Sequence, residues 1–167
     1  MGKQGCDIKW TEPDTVVISG IIDEYADFSS LSQRAQQSLN VDLSQVTRMN
    51  SSGIRTWIQS IMRHKIELNL TNCSPVVVEQ FSMIPEFIGK NGFVESFQAQ
   101  FICGSCGTET QDTFQVGVDV FPGQNYSDHV LEKTCPSCGQ SMDFDHNPEI
   151  YFSFLRTMKP RLPKKAS

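Results

Sequence analysis

Two copies of one short pattern, Cys103-Gly-Ser-Cys106-Gly and Cys135-Pro-Ser-Cys138-Gly, constrain this chain more than any other feature. A Cys-x-x-Cys turn sets two sulfurs on one side of a tight backbone loop. Two such turns can supply the four thiolates of a single tetrahedral metal ion. The small residues inside each turn permit the bend, and backbone N–H groups there can point at sulfur. Residues 107–134 put 28 positions between the turns, more than the roughly fifteen to twenty of the common spacing. Thr113 to Phe121 reads as a strand and Pro122-Gly123-Gln124-Asn125 as a turn, so an extended hairpin absorbs the excess. The expected ligands are Cys103, Cys106, Cys135 and Cys138. With no open coordination position, such a metal folds its module rather than catalysing, and so small a module needs the staple.

Other uses of these cysteines fit less well. Disulfides are not expected in a reducing compartment, and Cys6 and Cys73 have no matching spacing. A redox pair of thioredoxin type opens a helix, whereas each pair here runs into Gly and polar turn residues. An iron–sulfur centre uses the same ligands, and spacing does not separate it from zinc. The pattern resembles the zinc ribbon, which implies a small β-rich module with structural Zn²⁺.

A second informative stretch runs from Asn40 to Ile66. Val41 and Leu43 alternate with Asp42 and Ser44 as a short strand, and Asn50-Ser51-Ser52-Gly53 supplies turn and cap chemistry. Ile54, Trp57, Ile58, Ile61, Met62 and Ile66 then keep helical spacing, predicting a buried stripe, while Ser52, Arg55, Gln59 and Arg63 share the opposite face. A hydroxyl in the first turn of a helix lies among unpaired N–H groups at the positive end of the dipole, where a phosphate is well accommodated. Ser51 is therefore a candidate phospho-acceptor, with simple capping as the competing role.

This segment resembles the signature of the STAS family, the domain of anti-sigma factor antagonists and sulfate transporter tails. That signature runs strand D-L-S, turn D-S-S-G-[IL], helix; Asn50 stands where the family has aspartate. Gly20-Ile21-Ile22-Asp23 is similar to the family's G-x-[LI]-D, and the likeness spans residues 6–90. The resemblance implies that Ser51 is presented to a serine kinase. It also implies that Asp23, Asn50, Ser52, Arg55 and Gln59 surround it as a partner face, the partner being an anti-sigma factor with serine kinase activity.

Elsewhere, Asp7 to Trp10 and Thr15 to Ile21 read as a hairpin about Glu12-Pro13-Asp14. Phe28, Leu31, Ala35 and Leu39 line one side of a polar helix that Asp27 or Ser29 can cap. Glu67 to Asn72 is a further strand. Ser74-Pro75 starts a helix with Ser as cap, carrying Val77, Val78, Phe81 and Ile84 until Pro85 ends or kinks it. Gly89-Lys90-Asn91-Gly92 reads as a boundary, and Glu149 to Met158 allows either helix or strand. The expectation is an α/β chain: a STAS-like mixed sheet with packed helices over residues 1–92, then a β-rich zinc-ribbon-like domain with a C-terminal tail over 93–167.

Composition bounds the function. Fourteen basic against nineteen acidic residues give a net charge of −5, which argues against nucleic-acid binding. Residues 101–167 hold eight acids and six bases, four of the latter at Lys159, Arg161, Lys164 and Lys165. No apolar run suits a membrane span and no leader opens the chain, so a cytoplasmic protein is expected. His64, His129 and His146 are scattered, with surface or second-shell roles as the default. No nucleophile pair or phosphate-cradling glycine loop is apparent, so no enzyme is expected. The sequence reads as a regulatory protein-binding module, switched by serine phosphorylation. The alternative is a non-phosphorylated STAS scaffold or assembly subunit whose zinc ribbon mediates protein or nucleic-acid contacts or forms a homodimer surface.

Overall fold

The computed structural model describes residues 5–34 and 37–161. Ala35, Lys164 and Lys165 fall outside them. Strands β1 (Cys6–Glu12) and β2 (Thr15–Ile22) form the expected antiparallel hairpin. Helix α1 (Ser29–Arg34) follows, with the Ser29 N–H bonded to the Asp27 carboxylate at 2.9 Å. The chain then runs through β3 (Ser38–Met49), α2 (Ser51–His64), β4 (Glu67–Thr71), α3 (Pro75–Met83) and β5 (Phe93–Val94). These strands make one mixed sheet in the order β1-β2-β3-β4-β5, parallel from β2 onward.

One face of this sheet carries Val16, Ile18, Leu39, Val41, Leu43, Leu68 and Leu70, all at zero exposure; α3 packs on β3, and Trp57 and Ile61 of α2 belong to the same apolar core. The opposite face is polar. There the Asn69 amide donates to Asn40 Oδ1 at 2.9 Å, and Asn72 donates to Asp42 at 3.0 Å.

Several local expectations are corrected. Leu39 lies in β3, not α1, and β3 has 12 residues rather than four. Its pairing with β2 shifts register at Val17/Ser19 and again at Gly20/Ile21, which breaks the alternation past Ser44. Ile66 lies beyond α2, which ends in a left-handed Lys65, and Met62 is 65% exposed rather than part of the buried stripe. Ser74 does not cap α3 with its side chain; its hydroxyl donates to the Val46 carbonyl at 2.8 Å.

The remaining residues build a second, three-stranded sheet, β7 (Glu109–Gln115), β6 (Ser96–Ile102) and β8 (Asp143–Phe144) in that spatial order, with both pairings antiparallel. The hairpin strand is thus Glu109–Gln115 rather than Thr113–Phe121, and its partner precedes the first cysteine pair. Glu149 to Met158 is resolved into two short helices, α4 (Pro148–Tyr151) and α5 (Phe154–Thr157). Both pack on α3. Phe97 sits at the centre of the join, with Phe154, Phe114 and Phe152 rings at 5.2, 5.6 and 5.8 Å. Phe154 meets Phe81 of α3 at 4.8 Å. One apolar core therefore runs from the first sheet into the second.

Candidate functional site

The two cysteine turns are built alike. In the first, Cys103 N–H donates to the Thr108 carbonyl at 2.9 Å and Gly107 N–H to the Cys103 carbonyl at 2.8 Å. In the second, the matching bonds run from Cys135 to Gln140 at 2.8 Å and from Gly139 to Cys135 at 2.9 Å. Gly107 and Gly139 take φ of +75° and +76°, the left-handed region that closes each turn and disfavours a side chain.

The four sulfurs lie within 4.8 Å of one another. Two approaches cross between the turns, with Cys103 to Cys138 at 3.5 Å and Cys106 to Cys135 at 3.6 Å. Tetrahedral ligands at zinc–sulfur bond lengths of about 2.3 Å stand about 3.8 Å apart, so the cluster can hold a metal ion. Cys103 and Cys135 are buried while Cys106 and Cys138 face outward. Desolvation works to raise the Cys135 thiol, but backbone N–H groups of Cys138 and Ser137 outweigh it and bring it down to about 6. The Thr108 hydroxyl, 3.1 Å from the Cys106 sulfur, lowers that thiol. Thr108 was not singled out by sequence; only its place just after the turn glycine marks it.

Asn50 and Ser51 stand at the start of α2. Asn50 is the N-cap: its Oδ1 accepts the Gly53 N–H at 2.8 Å. Its Nδ2 donates to Glu24 at 2.7 Å, which lowers the Glu24 carboxyl, and its own N–H bonds the Ile22 carbonyl at 3.1 Å. Capping is thus done by Asn50, and the Ser51 side chain is exposed and makes no hydrogen bond among the described residues. Gly53 explains the close seat of the helix: a Cβ there would stand 2.2 Å from the Ile22 carbonyl oxygen. The strand end that carries Asp23 is thereby held against the α2 turn.

Of the expected partner face, Ser51, Arg55 and Gln59 line one groove of about 290 Å³ with Ile54, Ile58 and Ile84. Ser52 is exposed outside that groove, and half-buried Asp23 accepts the Tyr25 N–H at 3.0 Å. Ile84 and Glu24 are contributions that sequence did not reveal: Ile84 caps the end of α3 in a separate segment, while Glu24 directly follows Asp23 and its adjacency was the signal to read. His64 and His129 are exposed, but His146 is not: its ring stacks on Tyr151 at 4.4 Å and its Nδ1 meets Glu79 at 3.1 Å.

No family model, curated protein or solved structure matches the chain. Among the described residues, no helix is long and apolar enough to cross a membrane.

Proposed function

We propose that this protein is a regulatory binding module of STAS type, carrying a zinc-ribbon-like unit and switched by phosphorylation of Ser51. The observation that carries the reading is the division of labour in the α2 turn. Asn50 satisfies the cap, so the Ser51 hydroxyl is left outward on the rim of a partly apolar groove. The groove offers Ile54, Ile58 and Ile84 to an apolar partner segment, and Arg55 and Gln59 to polar groups beside it. A phosphoserine at this rim adds about −1.5 to −2 charges, which a docked acidic or apolar segment must desolvate. Asp23 and Glu24 close by add to the repulsion. The partner by resemblance is an anti-sigma factor with serine kinase activity, in the cytoplasm.

The four-cysteine site is best read as structural zinc. Four thiolates complete a tetrahedron and leave no position for substrate, so the ion would hold the two turns together and do no chemistry. The test for the switch is affinity purification from native cytosol with three baits, read by mass spectrometry. Wild type and Ser51→Ala are expected to retain the same kinase-like partner, which Ser51→Asp loses. Identical partner lists from all three would reduce Ser51 to a surface residue of a capped helix.

A further inference from the structure

At the far end of α2 from Ser51 lies a cleft of about 310 Å³ between the Gly89–Gly92 loop and the segment after α5. Ser51 is remote from it, because Gly89 lies against Ile61, about 15 Å along the helix from Ser51 by helical rise. Three cations line the cleft, Lys90, Lys159 and Arg161. That is a marked concentration for a chain of net charge −5. Pro85, Ile88 and Pro160 give it apolar walls.

Arg161 is held in place. Its Nη1 donates to Asn69 Oδ1 at 2.9 Å and lies 3.6 Å from Glu95, while its guanidinium stacks over Phe93 at 4.8 Å. These contacts leave Nη2 and Nε without a partner among the described residues, so half the guanidinium fork is free. The two lysines are different: among the described residues neither Lys90 nor Lys159 makes a hydrogen bond or ion pair. Among the described residues the Lys90 and Asn91 backbone N–H groups are also unbonded, although Gly92 N–H closes the loop on the Gly89 carbonyl at 3.3 Å. Three positive charges against Glu95 leave an excess of two, which matches a phosphate dianion.

From this arrangement we infer that the cleft is a phosphate-binding site, in which Lys90, Lys159 and the free edge of Arg161 hold the anion. The ligand is either free phosphate or a small phosphomonoester whose organic part lies on the Pro85, Ile88 and Pro160 wall. The reading is independent of Ser51 and of the metal centre.

The test is titration of the whole 167-residue, metal-loaded chain with inorganic phosphate and with phenyl phosphate at constant ionic strength, followed by amide NMR. Saturating shifts at Lys90, Asn91 and Gly92 are expected. The Lys90→Ala/Lys159→Ala variant should weaken the affinity roughly a hundredfold or more, since each of the two charge-assisted hydrogen bonds lost is worth about tenfold. Neither lysine holds the fold together, so the variant's thermal midpoint should equal that of wild type. Tighter binding of phenyl phosphate assigns the site to an ester, and equal binding assigns it to the free anion. Shifts that fail to saturate with both probes, or that survive in the double variant, would overturn the site.

Discussion

Gly53 and Asn50 show how much of the α2 turn rests on single atoms. An alanine at position 53 would gain about 1 kcal/mol of helix propensity over glycine, yet its Cβ would drive into the Ile22 carbonyl at 2.2 Å. Backbone cannot give way as a flexible side chain can, so the clash dominates. Gly53→Ala is expected to lose about 2 kcal/mol of stability in urea unfolding; an unchanged midpoint would show that α2 is seated less closely. Asn50 works through both ends of its amide, capping with oxygen and donating with nitrogen to Glu24. Asn50→Asp keeps the cap but replaces that donor with a second carboxylate. Asn50 lowers the Glu24 carboxyl, so its contribution in the wild type is present above the ordinary glutamate range and fades as pH falls through the lowered value. In the variant the repulsion has the opposite sense, growing as pH rises through the carboxylate range. The variant should therefore be less stable than wild type near pH 7, with the gap narrowing toward pH 4, as thermal unfolding across pH would read.

Among the elements, those with strong local signals were legible in the sequence and those set by distant partners were not. The hairpin β1–β2 and the helix starts at Ser51 and Pro75 follow from turn chemistry and periodicity. The full length of β3 does not, because its bulged pairing with β2 hides the alternation. Met62 keeps helical phase yet is exposed, since nothing among the described residues covers that part of the stripe. That four cysteines gather into one cluster was legible from their spacing, but the strand that precedes the first turn, Ser96–Ile102, was missed. Its alternating residues Phe97, Ala99 and Phe101 were there to be read. The likeness of the two turns also makes a prediction at this scale. Native mass spectrometry should find one metal ion per chain, with elemental analysis reporting zinc. Cys106→Ser and Cys138→Ser should each lose it, despite their outward position. Retention of metal by either variant would show that the ligand set is not these four sulfurs.

The whole molecule is organised around α3, which packs on the first sheet with one side and on β6, α4 and α5 with the other. Hydrogen bonds cross the same join, with Ser82 donating to the Tyr151 carbonyl at 2.8 Å and Ser153 to the Ser82 carbonyl at 3.1 Å. Trp57 lies in the same continuous core, fully buried, edge-on to Phe28 at 5.1 Å and stacked on Phe87 at 5.4 Å. Its indole N–H donates to the Phe87 carbonyl at 2.9 Å. Phe87 stands two residues before Gly89, so this one ring is bonded to the strip of chain that leads into the cationic cleft. The other tryptophan, Trp10, is only half buried beneath the Arg34 guanidinium at 4.6 Å. The chain thus carries its own optical gauge: Trp10→Phe should leave a single blue-shifted emitter, and its intensity should respond to any movement of the Pro85–Gly89 segment without an added label.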